Sequence, residues 1–322
     1  MTKWMDSILE FSIVGSFTQW GYNLRSRAFN PSDLNISLAG KTYLVTGANS
    51  GIGLATSLAL AERKAKVLLL CRNQDKANKA ADFIRTKSPP DAPSPEVYLA
   101  DLSDLSSVQT AAQKVFETTD SLHGIIHNAG NGLTKKEVNP QGIDSMFCIN
   151  VLSSYAITQK LLPKLRASNS VQNPGRVLWV SSGGMYTSGL DVDDLQWEKR
   201  PYEWLKVYAE NKRAQVLMAE WYAHHEQQPA KVVYQSMHPG WVDTELVQNK
   251  LPQFKKIMGK ALRSAEQGAD TLIWLMIAEK AKSNSGEFWL DRDIRKKYIK
   301  RGTQVSDPKK ERLMDYCAQL LK

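Results

Sequence analysis

The chain has 322 residues, 42% hydrophobic and 23% charged, enough to bury a substantial core in one large domain or two small ones. Cys71, Cys148 and Cys317 are too far apart for a metal knuckle or a redox Cys-x-x-Cys, so free thiols in a reducing compartment, and no metal, are expected. The net charge of +9 draws on Arg292, Arg295, Lys296, Lys297, Lys300 and Arg301; with no nucleic-acid recognition motif beside it, the cluster reads as a solvated basic face, or as a contact for a membrane surface or anionic partner.

Residues 1–39 stand apart as an N-terminal extension. In it "WMDSILEFSIVGSFTQW" sets apolar residues around much of a helix, but Asp6 and Glu10 interrupt a stretch already short for a bilayer span. A basic leader and a cleavage site are both lacking, which argues against a signal peptide. The segment reads either as a helix packed on the domain or as an interfacial helix on a membrane. An intracellular location follows, cytoplasmic or peripheral to a membrane.

From residue 40 to 291 strands and helices alternate. "KTYLVTG" is a strand, with a helix from about Ile52; "KVLLLC" is a buried strand followed by helical "DKANKAADFIRTK" and the loop "SPPDAPSP". Then come "EVYLA", a helix at 104–118, strand "GIIHNAG", a long helix at 142–166 and strand "RVLWVSS". A helix at 204–226, strand "KVVYQSM", a helix at 264–279 and a short strand "GEFWL" complete the order. Alternation of this kind predicts βαβ crossovers and a single-domain, doubly wound parallel sheet of Rossmann type in three α/β/α layers. Strands covered on both faces read as apolar runs, as "VLLL" and "VLWV" do. Residues 292–322 form a basic C-terminal tail with a terminal helix.

The first strand runs into "TGANSGIG", with Gly47, Asn49, Ser50, Gly51, Ile52 and Gly53 leading directly into a helix. Glycines there let the backbone approach a pyrophosphate, and the helix N-terminus favours its negative charge. At the end of the second strand an NAD site usually carries an acid for the ribose; here the residues are Cys71-Arg72-Asn73. The missing acid and the Arg72 guanidinium, suited to a 2′-phosphate, point to NADP(H) over NAD(H). Asp101 and Leu102, after the third strand, are placed at the adenine edge, although Asp101 also reads as a helix N-cap.

The stretch "RPYEWLKVYAENK" holds two Tyr-x-x-x-Lys patterns, Tyr202/Lys206 and Tyr208/Lys212, each predicted to share one helix face. Tyr208, followed by small Ala209 in a helix-favouring run, is preferred as the chemical pair; Tyr202 follows Pro201 in bulky company.

"TGANSGIG", "HNAG" (127–130), Asn150, "VSSGG" (180–184), "YAENK" (208–212) and "HPGWVDT" (238–244) together, in this order, resemble the short-chain dehydrogenase/reductase family across residues 40–290. The longer Ser-to-Tyr interval resembles its retinol-dehydrogenase-like branch. The resemblance implies an NADP(H)-dependent interconversion of carbonyl and alcohol by Asn150, Ser182, Tyr208 and Lys212. In that scheme Tyr208 is the acid/base, Lys212 lowers its pKa and holds the ribose, Ser182 orients the substrate oxygen, and Asn150 supports Lys212. It also implies cofactor contacts from Asn128, Ala129 and Gly130, and from Pro239, Gly240, Val242 and Thr244 at the nicotinamide end. Ser181 is a rival donor to Ser182. A homodimer through the helices at 142–166 and 204–226 is left open.

Two departures stand out. His127 replaces the usual Asn before "NAG", in a turn expected beside the cofactor. A span of 26 residues separates Ser182 from Tyr208, so "MYTSGLDVDDLQWEKRPYEW" reads as a flap. Beyond it Leu246, Val247, Leu251, Phe254 and Ile257 suggest a lid, and with it a small-molecule substrate that is an apolar carbonyl or alcohol, such as a lipid, retinoid or steroid. A dinucleotide-binding regulator with little turnover is the competing function on the same fold.

Overall fold

The computed structural model describes residues 13–322; the start of the expected N-terminal helix lies outside the described residues. Two short helices, α1 (Ile13–Phe17) and α2 (Gln19–Ser26), precede the alternating region. There β1 (Thr42–Thr46), α3 (Gly51–Glu62), β2 (Lys66–Cys71), α4 (Gln74–Lys87), β3 (Glu96–Leu99), α5 (Leu105–Thr118) and β4 (Gly124–His127) form the first half. The second half holds α6 (Ser153–Ser168), β5 (Gly175–Val180), α7 (Trp204–His225), β6 (Val232–Met237), α8 (Glu245–Lys250), α9 (Pro252–Met258), α10 (Ala265–Ile277), β7 (Phe288–Leu290) and β8 (Asp293–Ile294). A last helix, α11 (Asp307–Leu320), ends the chain.

The strands make one sheet in the order β3-β2-β1-β4-β5-β6-β7-β8, parallel except for β8. Alternate residues serve opposite faces. Leu44, Leu68, Ile125, Val177 and Trp179 pack with Val108 of α5, Leu161 of α6 and Leu217 of α7. Val45, Val67, Leu69, Ile126 and Leu178 pack with Leu60 of α3, Ile84 of α4 and Leu272 of α10. Each such fully buried apolar side chain contributes about 1.5–3 kcal/mol, which is why the central strands are mainly apolar on both faces.

The long helix expected at 142–166 is interrupted. A turn at Ser145–Phe147 passes through a π-helical segment, Cys148–Leu152, before regular α-helix begins at Ser153. Wide turns of this type occur where a side chain must be re-aimed, and Asn150 lies in the middle of this one.

At the other end, β7 is followed by a two-residue hairpin rather than ending the sheet. Asp291 and Arg292 both have positive φ, 54° and 59°, as this turn requires. Neither is glycine, and both are tied down by ion pairs, Arg292 to Asp270 at 2.6 Å and Asp291 to two arginines. The basic cluster is therefore split. Arg292 and Arg295 are drawn inward and Lys297 pairs with Glu220, whereas Lys296, Lys300 and Arg301 face solvent around exposed Ile299. Leu313, Met314 and Cys317 of α11 enter the main core, and all three cysteines are buried and free. Among the described residues no helix is long and apolar enough to cross a membrane, and no side-chain cluster suits a metal ion.

Three histidines are buried. His123 accepts a hydrogen bond at Nδ1 from the Thr42 amide, and burial with nearby Lys41 lowers its pKa to about 4. His127 and His238 are lowered to about 3, mainly by burial. Each ring folds neutral, but in the unfolded chain takes a proton near pH 6.5. The unfolded state therefore binds more protons below that pH, and stability falls as pH drops from about 6.5 toward about 4. Urea titrations should show a loss of up to about 1.4 kcal/mol per pH unit for each ring, and His127→Asn should flatten the slope. An unfolding free energy independent of pH over this window would contradict the neutral burial of these rings.

Candidate active site

The strand order reverses between β1 and β4, and the loops leaving their C-terminal ends diverge to leave a crevice there. The glycine loop forms one wall. Gly47 and Gly51 take φ of 64° and 50°, a region that penalises other residues. A Cβ on Gly53 would lie 2.2 Å from the Gly47 carbonyl oxygen and 2.5 Å from Asn128 Nδ2. The Asn128 amide donates to the Thr46 carbonyl at 3.0 Å, and Thr46 Oγ1 accepts from the Ala129 amide at 3.0 Å. Thus "TGANSGIG" and "HNAG" are locked together, with Asn49 and Ser50 partly exposed ahead of the α3 N-terminus. That helix end presents free N–H groups suited to an anion.

Arg72 is exposed at the end of β2, with no ion-pair partner among the described residues, just before Asn73 caps α4. Asp101 is half-buried and its Oδ1 accepts from Ser103 N and Oγ at 2.9 and 2.6 Å; the cap of α5 is Asp104 instead. Leu102 packs partly buried on the core beside it.

The four side chains expected to do chemistry converge on the opposite wall. Asn150 is fully buried; its Nδ2 donates to the Asn131 carbonyl at 2.9 Å and its Oδ1 accepts from the Asn131 amide at 3.0 Å. Lys212, only 3% exposed, donates from Nζ to the Val180 carbonyl at 2.9 Å and to Gln215 Oε1 at 3.1 Å. Gln215 in turn donates to the Asn150 carbonyl at 2.6 Å. A Cβ on Gly130 would stand 3.0 Å from both Asn150 Oδ1 and Lys212 Nζ, so these three residues share one small space. The Lys212 ammonium lies 5.6 Å from the centre of the Tyr208 ring. Burial raises the Tyr208 phenol to about 12, opposed by its hydrogen bond with Ser182, and burial lowers Lys212 to about 7. Ser181 is turned away, its hydroxyl donating to the Lys212 carbonyl at 2.7 Å.

Tyr202/Lys206 does not repeat this arrangement. Helix α7 begins at Trp204, so Tyr202 lies before it and the two side chains do not share a helix face. Tyr202 donates to the Leu133 carbonyl at 3.2 Å, while Lys206 reaches outward to Glu203 at 2.6 Å. The flap between Ser182 and Tyr208 is pinned by Arg200, which bonds Asp194 at 2.9 Å and Glu210 at 3.0 Å and stacks on Trp197. Tyr202, Trp204 and Leu133 pack with Met146 and Val207 beside Tyr208. Leu246 of α8 approaches Gly132 beside Trp204, and Phe254 of α9 stands edge-on to Trp241 at 5.0 Å. Val247 and Leu251 are partly buried, whereas Ile257 is 80% exposed and points away from this wall.

The loop at 238–244 faces the glycine loop. Thr244 is the nearest neighbour of a Cβ placed on Gly51, at 3.8 Å, and Val242 with Ile52 closes on Gly268 of α10. Pro239 and Gly240 are buried behind it. His127, by contrast, is turned to the far face of the sheet, where Nε2 meets Thr158 Oγ1 at 2.8 Å and the ring stacks on Trp179. It belongs to an aromatic stack continuing through Tyr222 and Tyr234, not to the cofactor turn, because successive strand residues point to opposite faces. Sequence reasoning missed Gln215 and Thr46. The first had a signal, three residues from Lys212 on one helix; the hydroxyl of Thr46 had none.

The positive-φ glycine loop, the free N–H groups of the α3 N-terminus and the facing Thr244 fit the backbone-close binding of a dinucleotide, which Lys212 would meet at its far end. Comparison with known proteins shows the family. Residues 41–254 match the family model described as short chain dehydrogenase. Human dehydrogenase/reductase SDR family member 12 is 37% identical over 307 residues, covering 94% of this chain and 93% of that protein. Human retinol dehydrogenase 12 is 32% identical over 261 residues, 80% of this chain and 79% of its own. A Shigella flexneri short chain dehydrogenase complexed with NADP superposes with a TM-score of 0.61 at 25% identity, over 80% of this chain and 98% of its own. The chain belongs to the short-chain dehydrogenase/reductase family, oxidoreductases that act on CH–OH or carbonyl groups with NAD(P).

Proposed function

We propose that this chain interconverts an apolar carbonyl and its alcohol with NADP(H), using Tyr208, Lys212, Ser182 and Asn150. The reading rests on one observation: the Tyr208 phenol, bonded to Ser182, shares a buried corner with Lys212 at the crevice lined by the glycine loop. A bound nicotinamide supplies or accepts the hydride. Tyr208 handles the proton: held protonated by burial, it donates to the substrate oxygen during reduction and takes the proton back in the other direction. Ser182 holds that oxygen in place, a fixed dipole that needs no reorganisation. Lys212, kept at the corner by Val180 and Gln215, stabilises the phenolate whenever it carries its own proton. Asn150 braces the backbone of Asn131 and, through Gln215, the lysine.

The wall beside Tyr208, where Leu133, Tyr202, Trp204 and Leu246 gather, supports an apolar substrate. That a relative is named a retinol dehydrogenase is consistent with such a lining. A panel of apolar and small polar carbonyls with NADPH tests it; turnover confined to the polar ones would sink the apolar reading. Dinucleotide binding with no turnover on any of them would favour a regulatory role instead.

Tyr208→Phe should lower turnover by about 10²–10⁴-fold with dinucleotide affinity little changed, whereas Tyr202→Phe, which loses one hydrogen bond to Leu133, should stay within about threefold of wild type. Steady-state kinetics of the two variants decides between the pairs, and full activity in Tyr208→Phe would overturn the assignment.

The preference for NADP(H) rests on exposed Arg72 and the lack of an acid at the end of β2. Fluorescence titration should show Arg72→Ala weakening NADPH by about 10–100-fold, the loss of charge-assisted bonds to a 2′-phosphate, with NADH changed by less than about twofold. Equal loss for both dinucleotides would remove Arg72 from that role.

A further inference from the structure

The N-terminal segment is built into the back of the site. Phe17 stands edge-on to the His238 ring at 4.4 Å and to Trp241 at 5.8 Å, and its carbonyl accepts from the Trp241 amide at 2.7 Å. A Cβ on Gly183, the neighbour of Ser182, would lie 2.5 Å from the same phenyl ring. One side chain thus backs both the turn that carries Ser182 and the loop at 238–244.

A buried charge cluster fixes that side chain. The Asp291 carboxylate bonds Arg263 at 2.6 and 2.9 Å and Arg25 at 2.9 Å, with the three side chains 1–3% exposed. Arg25 also donates to the Ser16 carbonyl at 3.1 Å and hydroxyl at 2.9 Å. Arg263 donates to the carbonyls of Ser16 at 3.0 Å, Thr18 at 3.2 Å and Pro239 at 3.3 Å. Its guanidinium also fills the space beside Gly240, where a Cβ would be 2.2 Å from Nε. One carboxylate therefore joins α2, the segment before α10 and the β7–β8 turn, and the arginines extend the join to α1 and the 238–244 loop.

We infer that residues 15–26 are a positioning clamp for the nicotinamide half of the site, with Phe17 as the positioning residue and Arg25–Asp291–Arg263 as its anchor. Its bonds and ring contacts reach the turn after Ser182 and the 238–244 loop, whereas Arg72 stands after β2 on the other side of β1. This rests on the dinucleotide reading proposed above.

The test compares NADPH with 2′-phospho-ADP-ribose, the same molecule without nicotinamide, by titration calorimetry on the full chain. Phe17→Ala should weaken NADPH at least tenfold and lower kcat at least tenfold, while 2′-phospho-ADP-ribose binds within twofold of wild type. Phe17→Leu, which refills most of the space, should recover most of both losses. Should Phe17→Ala fail to fold, Arg25→Lys is read by the same ratio. Parallel weakening of both ligands, the signature of general destabilisation, would overturn the clamp, as would no change in either. If wild type binds NADH instead, NADH and ADP-ribose replace the pair. A wild type that binds no dinucleotide overturns the cofactor reading and the clamp with it.

Discussion

Parallel register through β1, β4, β5 and β6 is the constraint on which the site depends. Tyr43 lies opposite Gly124, Gly124 opposite Arg176 and Arg176 opposite Val233, so these strands end at one edge and present their following loops together. Slipping one strand by a single residue would exchange its two buried faces, Leu44 for Val45 on β1, and would turn Thr46 Oγ1 away from the Ala129 amide. The same alternation that buries apolar side chains on both faces of the strands thus fixes where the polar edge residues point. His127 shows this from the opposite side: as the last residue of β4, next to Asn128, it is committed to the aromatic stack on the far face.

At that edge, segments approach more closely than most side chains permit. Gly53 under Gly47, Gly130 against Lys212 and Asn150, Gly183 against Phe17 and Gly240 against Arg263 each leave room for another group where a Cβ would stand. The buried Lys212 makes this packing consequential. Removing its ammonium from water costs free energy, seen in a pKa drawn down to about 7, and the carbonyl of Val180 and the amide oxygen of Gln215 offset part of it. A lysine in such surroundings changes protonation with small changes nearby.

Much of the fold was legible in the sequence because its signals are local. Apolar runs, the glycine loop and the helix-favouring stretch after Tyr208 each carry their own physics, and the strands and most helices fall where those patterns put them. Less legible were features made by distant partners. Nothing in "CINVL" announces a π-helical turn, whose purpose is visible only when Asn150 meets Asn131. The positive-φ turn at Asp291-Arg292 lacks the glycine that would mark it, since ion pairs to Arg25, Arg263 and Asp270 take the place of conformational ease. For the same reason a basic cluster that reads as one solvated face divides into Arg292, Arg295 and Lys297, held by acidic partners, and Lys296, Lys300 and Arg301, left outside.

The two Tyr-x-x-x-Lys patterns show where spacing stops being informative. A separation of four residues brings side chains together only if all of the residues between are helical. Pro201 and the pinned flap hold Tyr202 outside α7, so its partner at position 206 turns to Glu203 and solvent. Eight residues into the helix region, Lys212 instead meets the end of β5 and donates to the Val180 carbonyl, while Ser181 braces the helix backbone. The difference between the two pairs is set by what the sheet offers opposite each lysine. Only the second faces an edge where a buried ammonium, a phenol and a serine hydroxyl can meet.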